Sequence, residues 1–402
     1  MKRFAATMLL ASLVPMLIIS GCTGQKAPEK EIVKVGFSVS LSGVYAAAAE
    51  SQLNPYLLWE KQVNEQGGLY LPDLDKRVPV ELVYYDDKSS SEDVIRIYER
   101  LITVDKVDVL FSPWGSTLHM AMVPTMENYK RPLIGTTAGG DLRRRELEGD
   151  YFFWTWPLQD LVAPDVVDLM DTNKNALKKV ALIYVNDIYP LGFAEQIRPL
   201  LIERGYEIVL DKDYPIGVGD MSEVLLQIKS LNPDALVAGS YPGDTILLTK
   251  QLQEVGLNVQ FLYFAIGPGI IGFEDIFSPE AIDGLTMEGP WHPDSGGPGS
   301  EEFFNGFVDM FGTRPDMVDS PFAWLGCQIQ QQAIERVGLD PEKVRDEIAT
   351  GTFQTIFGTF SFDGQENLNY SGILQWQNGQ IEMVWPSTRA SADLLFPKPD
   401  WP

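Results

Sequence analysis

The sequence predicts an α/β protein built on parallel, doubly wound sheets, and three observations carry that prediction. Between Ile32 and Gly140, β-forming runs alternate with helically spaced segments in the order βαβαβαβ. The same rhythm resumes from Lys179 to Phe264 with no sequence repeat behind it. Two stretches between and after these halves suit passages from one lobe to another: the aromatic run Tyr151–Pro157, closed by proline, and the Gly- and Pro-rich Leu285–Pro298. A chain of 402 residues has room for two domains of ordinary size, each with its own core.

Taken in order, Ile32–Val39 alternates and is rich in β-formers, so it reads as the first strand. Leu41–Tyr45 is a turn, and Ala46–Gln66 has helical spacing up to Gly67-Gly68. Val78–Tyr85 is a second strand ending in Asp86-Asp87, and Ser91–Val104 a second helix. The acidic pair invites a metal reading, but a solvated strand end accounts for it more simply.

The stretch Val107–Gly140 carries the densest functional signal. Val107–Phe111 is a strand, Ser-Pro-Trp-Gly a sharp turn, and Ser116 and Thr117 stand where a helix N-cap belongs. That helix runs to about Asn128, and Pro132–Ile134 leads into the turn Gly135–Gly140. Two consecutive strands thus end in small, hydroxyl-bearing loops. In a parallel sheet both loops open at one edge, where backbone N–H groups and hydroxyls can hold a carboxylate.

In the second half, Leu158–Asn173 reads as a helix, Lys179–Val185 as a buried strand, Ile188–Gly192 as a turn and Phe193–Arg204 as a helix. Strand Glu207–Leu210, helix Asp220–Leu231, strand Ala235–Ala238, helix Tyr241–Val255 and strand Gln260–Phe264 follow. Glu301–Phe311, Pro321–Val337 and Pro341–Gly351 are helices. Phe357–Asp363, Tyr370–Gln377 and Gln380–Val384 form a hairpin-rich end with a turn at Asn378-Gly379, and the three-proline tail Leu394–Pro402 is an irregular wrap.

Before the first strand stands a targeting segment. Lys2-Arg3 precede the apolar run Met8–Ile19, too short to span a membrane with polar flanks, and Ile19-Ser20-Gly21-Cys22 places small residues before a cysteine. Residues 1–21 therefore read as a signal peptide. Cys22 reads as the lipidated N-terminus of a lipoprotein, with 22–31 as a tether; a plain secretory signal is the alternative. Cleavage leaves 29 basic against 56 acidic residues, a formal charge of −27 instead of −25. Such acidity argues against nucleic acid and against binding to anionic lipid through the protein surface. Cys327, in an apolar helical stretch, is a buried small hydrophobe and has no disulfide partner left.

Enzyme classes fail on inventory. The two histidines, His119 and His292, have no metal-ligand spacing with Cys or His. There is no Gly-x-Ser-x-Gly elbow and no P-loop, and the first βα turn, SLSGVYA, lacks the dinucleotide fingerprint, so no catalytic residue, metal or cofactor is expected.

The segments VKVGFSVSLSGVYA, YFFWTWPLQD, FAWLGCQIQQQAIERVG and IFGTFSFDGQENLNYSGILQWQNGQIEMVWP, in that order and spacing, resemble the type I periplasmic binding proteins of the branched-chain amino acid and amide class. The resemblance implies two Rossmann-like lobes joined by three crossings, residues 32–156 with 288–356 and 157–287 with 357–385, followed by an irregular tail at 386–402. It also implies an extracytoplasmic protein, lipid-anchored to the cell membrane, that closes on a small solute and passes it to the permease and ATPase subunits of an ABC importer. A sensor module built on the same clamp is the alternative.

Residue by residue, the resemblance puts the carboxylate-binding serine at Ser116, with Trp114 before it, and the next loop's contacts at Thr136–Gly139, chiefly Thr137 and Gly139. From the second lobe it implies Tyr189 in NDIYPLG and Tyr241 in GSYPGD. Each also has a purely structural reading: an N-cap for Ser116, turn packing for Trp114 and ordinary half-buried rings for the tyrosines. His119 reads as structural, and Trp291-His292 as hinge or surface residues.

Two positions depart from the pattern. The tyrosine after the first Ser-Gly turn is displaced to Tyr45, and Ala265 stands where amino-acid binders place an acid, with none until Glu274. An ammonium without a counter-charge in a closed cleft is costly. The expected solute is therefore an organic acid or amide with an apolar or aromatic body, not a standard α-amino acid.

Overall fold

Val33, Val35, Phe37 and Val39 are wholly buried, and the strand they build, β1 (Val33–Val39), lies at the centre of a three-stranded sheet, the smaller of the two main sheets. The computed structural model describes residues 30–139, 142–147, 149–367 and 371–402. The expected signal peptide, Cys22, most of the tether, Gly140 and the expected strand start at Tyr370 lie outside the described residues.

After β1 come α1 (Ala49–Glu65), the hairpin β2 (Leu69–Leu71) and β3 (Lys76–Val78), β4 (Val80–Asp86) and α2 (Ser91–Thr103). Then follow β5 (Val109–Leu110), α3 (Ser116–Tyr129), β6 (Leu133–Gly135) and β7 (Phe152–Trp154). Strands β4 and β5 flank β1 in parallel, and β6 pairs in parallel with β7. Helix α2 starts where Ser90 Oγ accepts from the Asp93 amide at 3.2 Å, an ordinary N-cap.

The second sheet is larger. Its elements are α4 (Gln159–Asp171), β8 (Lys179–Val185), α5 (Ile188–Glu203), β9 (Glu207–Tyr214), α6 (Ser222–Leu231), β10 (Ala235–Gly239), α7 (Pro242–Val255) and β11 (Phe261–Phe264). The short helices α8 (Phe273–Ile276) and α9 (Pro279–Ile282) lead to β12 (Leu285–Glu288). The chain then returns to the first lobe as α10 (Ser300–Phe311), α11 (Asp319–Val337), α12 (Pro341–Thr350) and the hairpin β13 (Phe353–Thr355) and β14 (Gly358–Phe360), with α11 packed along α1. Finally β15 (Ile373–Gln377) and β16 (Gln380–Trp385) join the second sheet, whose order is β16-β15-β12-β11-β10-β8-β9. Its strands are parallel from β9 to β12 and antiparallel at β15 and β16.

Three passages link the lobes, and they run side by side. The Trp154 amide donates to Gln365 O (2.8 Å) and Asn367 N to Trp154 O (3.0 Å), while Gly289 N reaches Gly372 O (2.9 Å). Arg144 pins this bundle from inside. Its fully buried guanidinium donates to the carbonyls of Ala138 (2.6 Å), Gly139 (3.0 Å) and Trp156 (2.8 Å) and grips the Glu366 carboxylate at 2.6–3.1 Å.

Several expectations need refinement or correction. The stretch Leu285–Pro298, read as a passage between lobes, opens with a fully buried strand, Leu285–Glu288. Ile188–Gly192 is the first turn of α5, because the Asp187 side chain caps the Ile188 amide at 2.8 Å. Asp87 is no solvated strand end: it is wholly buried and accepts from the Ser38 and Ser40 hydroxyls, each at 2.6 Å, whereas Asp86 is not buried. Trp291 and His292 are also buried, the indole donating to Ser300 Oγ and His292 Nε2 facing the Ile381 carbonyl. Cys327 is completely buried, as its apolar helix implied. The tail stays irregular and is tied down by Trp401 Nε1 donating to Leu257 O at 2.7 Å.

Candidate functional site

Parallel strands deliver their following loops to one edge, and each sheet does so here. From the first lobe, β1 leads to Tyr45, β5 to Trp114 and Ser116, and β6 to Thr137 and Gly139. From the second, β8 leads to Asp187 and Tyr189, β10 to Tyr241, β11 to Ala265, and β12 ends in Glu288.

The two edges meet through aromatic rings. Tyr45 and Trp114 lie 5.2 Å apart between centroids, and Tyr241 lies 5.7 and 5.5 Å from them across the lobes. Tyr189 stacks on Tyr241 at 6.3 Å. All four rings are buried. Asp187 holds them together: it accepts from Tyr45 OH (2.7 Å) and Thr117 Oγ1 of the first lobe and from Tyr241 OH (3.1 Å) of the second. This carboxylate is a latch between lobes. Tyr45→Phe removes one charge-assisted bond and leaves the ring in place, so it is expected to favour the open form by about 1.5–3 kcal/mol. A larger radius of gyration for the solute-stripped variant in X-ray scattering checks this; an unchanged one removes Asp187 as the latch.

Behind the rings lie the hydroxyl loops. Ser112 Oγ and Thr136 Oγ1 share a hydrogen bond of 2.8 Å, and Thr137 Oγ1 donates to Pro113 O and accepts from the Gly115 amide, both at 3.3 Å. The N-cap of α3 is Gly115, not Ser116 or Thr117. Its φ of +83° is a backbone conformation that a side chain disfavours, and Ser116 becomes the buried first residue of the helix. Gly139 is also required: a Cβ there would lie 2.5 Å from the Tyr189 ring. His119 is structural. Burial holds its pKa at about 4, and its Nδ1–H donates to Gly115 O at 2.7 Å.

Position 265 carries no acid, as the sequence shows, but an acid lies close by. Ala265 is wholly buried in the sheet edge, its amide on Ala238 O (2.9 Å) and its carbonyl accepting from the Glu288 amide (3.2 Å). The adjacent strand β12 ends in that acid, Glu288. Glu288 Oε1 accepts from Trp156 Nε1 at 2.9 Å and Oε2 from Tyr189 OH. Burial raises its pKa to about 8. A second acid, Asp319, begins α11 and accepts from Trp114 Nε1 at 2.9 Å. Burial, reinforced by the neighbouring Asp316, pushes its pKa well above the usual carboxylate range. Glu274 lies elsewhere, paired with Arg314 at 2.5 Å.

Sequence reasoning missed Asp187, Glu288, Asp319, Trp156 and Gln159. Asp187 stands two residues past the end of β8, as Tyr241 does past β10, and that was the available signal; Glu288 is itself the last residue of β12. Asp319 reaches the cleft only by tertiary packing.

Two Rossmann-like lobes with aligned carboxyl edges and three adjacent crossings define the type I periplasmic binding protein fold. The sequence pattern of the periplasmic binding protein family matches residues 32–380, and the chain belongs to that family. It is similar to the Leu/Ile/Val-binding protein homolog 7 of Brucella suis, 24% identical over 406 residues and covering 95% of this chain and 98% of the relative. Homolog 8 of Brucella abortus is 25% identical over 389 residues, covering 91% and 93%.

Among solved structures, the branched-chain amino acid transporter substrate-binding protein LivJ of Streptococcus pneumoniae, in complex with isoleucine, superimposes with a TM-score of 0.77 at 22% identity. It covers 89% of this chain and 100% of its own. A solute-binding protein of an ABC transporter from R. palustris, in complex with benzoate, gives 0.77 at 22% identity, covering 90% and 98%. The family and these neighbours are solute-binding proteins, and the family implies an extracytoplasmic location.

Proposed function

We propose that the protein is the solute-binding component of an ABC importer, closing on a small carboxylate- or amide-bearing organic solute with an apolar or aromatic body. One observation carries the reading: Tyr45 and Trp114 of one lobe meet Tyr241 of the other at 5.7 and 5.5 Å, with Tyr189 stacked on Tyr241 at 6.3 Å, where the carboxyl edges of the lobes face each other. Rings bury a body of that kind, and the Ser116–Thr137–Gly139 loops offer its polar end hydroxyls and a helix start. The lobes, 32–156 with 288–356 and 157–287 with 357–385, hinge at the three passages. Cys22 carries the lipid that holds the protein at the membrane, beside permease and ATPase subunits.

Native mass spectrometry of the purified protein, followed by a thermal-shift panel of amino acids, aliphatic carboxylates and aryl carboxylates including isoleucine and benzoate, tests this. A binder at one hundred times its Kd stabilises by about 2.7 kcal/mol. Trp114→Ala and Tyr241→Ala are each expected to weaken that binder at least tenfold. Absence of any co-purified solute, together with no shift across the panel, defeats the reading.

A further inference from the structure

We infer that Arg314, outside the ring cluster, is a positioning residue for solute capture: it straps the loop after β11 to the first lobe, so that lobe closure and the ordering of that loop are one event. This rests on the solute-binding reading only for what closure serves, and its readouts need no solute.

The loop starts at Ala265, on the cleft edge, and runs to the start of α8. Residues 265–270 are all buried, yet they form neither strand nor helix. Buried carbonyls need donors, and irregular backbone has no ladder to supply them. Two carbonyls of this loop are served from the first lobe. Arg314 Nη1 donates to Gly269 O at 2.7 Å and Nη2 to Ile270 O at 3.0 Å, and the Met317 amide adds a second bond to Gly269 O at 3.2 Å. Arg314 Nη2 also pairs with Glu274, on α8, at 2.5 Å.

Arg314 stands in the link between α10 and α11, and both helices pack on α1. That link is held firmly. Asp316 is wholly buried and accepts from the amides of Val318 (2.6 Å) and Asp319 (2.5 Å) and from the Ser51 hydroxyl of α1 (3.1 Å). Asp319, at the far end of the link, takes the Trp114 indole at 2.9 Å. One short segment therefore grips the second lobe through Arg314 and a cleft ring through Asp319.

The guanidinium suits the task by its shape. It lies 5.2 Å from the centre of the Trp376 ring, whose own indole donates to Pro268 O of the same loop at 2.8 Å. Its planar fork reaches two carbonyls and a carboxylate together, which the single ammonium of a lysine cannot match. Separating the lobes strips Gly269 O and Ile270 O of these donors and splits the pair with Glu274. The loop must then turn to water or rearrange, so the open form loses local order there.

A cavity of about 330 Å³ opens beside Arg314, with Phe304, Met317, Trp376 and Glu274 on its walls. It gives a small cation a route to the guanidinium's place once the side chain is cut back.

The test uses the full chain, stripped of solute by unfolding and refolding, with hydrogen exchange and X-ray scattering as readouts. In Arg314→Ala the segment 265–272 is expected to exchange at least about tenfold faster and the radius of gyration to rise, with exchange in β8 unchanged. Guanidinium chloride at tens of millimolar, well below its denaturing range, is expected to restore slow exchange in Arg314→Ala. It should do nothing for Arg314→Met, whose side chain fills the same space, or for the unsubstituted protein. Arg314→Lys is expected to fall between the unsubstituted protein and Arg314→Ala. Should Arg314→Ala fail to fold, Glu274→Gln, which keeps its shape and loses its charge, is expected to speed the same segment by a smaller factor.

Unchanged exchange in 265–272, an unchanged radius of gyration, or a rise in exchange that spreads equally to β8 overturns the inference. So does guanidinium that rescues neither variant or both alike. None of these results touches the solute-binding reading, which the co-purified solute and the ligand panel decide.

Discussion

Replacing Arg144 by methionine is expected to cost about 3–5 kcal/mol of stability, the scale found when one partner of a buried ion pair is removed. The side chain is fully buried, and Glu366, its partner, is only 13% exposed. Methionine fills much of the same volume but leaves the carboxylate uncompensated and takes the donor from three carbonyls, those of Ala138, Gly139 and Trp156. Those carbonyls belong to a cleft loop and the first passage, whereas Glu366 belongs to the third, so the loss falls on the hinge. Urea unfolding at neutral pH measures it. If the stranded charge is the cause, the double variant with Glu366→Gln should recover part of the loss. A loss below about 1 kcal/mol for the single variant would show that Arg144 does not bind the passages together.

Long β-rich runs and the helices between them were legible because pattern and burial agree. Lys179–Val185 is apolar after its first residue and is buried along nearly its whole length. Leu285–Glu288 was not legible, because four residues between Gly284 and Gly289-Pro290 look like punctuation, and a central strand buried on both faces shows no alternation. The start of α5 was misread for a related reason. Pro190 and Gly192 suggest a turn, yet a helix's first turn tolerates proline because its amides lack intrahelical partners. Asp87 reads as solvated from its neighbours in sequence and is buried only because Ser38 and Ser40 come across from β1 and the residue after it.

The cleft follows the same division. Tyr45, Trp114, Tyr189 and Tyr241 follow strands, so topology alone brings them together. The acids could not be placed so easily. Asp319 lies 205 positions from Trp114, the residue it pairs with, and nothing local signals that contact. Position 265 carries no acid, but its backbone neighbour across the ladder does, and the pairing that makes Glu288 its neighbour exists only in the folded sheet.

Stability of the solute-stripped protein should fall as pH rises from about 6.5 to 8. Glu288 titrates near 8 in the folded state, whereas an unfolded glutamate titrates near 4.3, so across this window the folded state holds a proton that the unfolded state has lost. A raised carboxyl pKa gives stability that is whole below the unfolded value and is lost on the way up to the folded one. Asp319, pushed up by burial and by Asp316, acts in the same direction, and Asp244, near 6, has spent its contribution by then. His119 opposes the trend only between about 4 and 6.5, since its depressed pKa makes the folded state the less protonated one there. Lys398, held near 8 by burial, adds an opposing rise above that pH, which sets the upper edge of the window. One buried carboxyl contributes a slope of about 1.4 kcal/mol per pH unit, so Glu288 alone accounts for about 2 kcal/mol between pH 6.5 and 8. Glu288→Gln keeps one acceptor for the Trp156 indole and places a donor toward Tyr189, so its stability should decline less across the window. Urea unfolding at several pH values would then show the two proteins diverging by about that amount. Parallel curves would mean that Glu288 is already ionised in the empty cleft, and that the carboxylate is solvated or paired in a way its present neighbours do not provide.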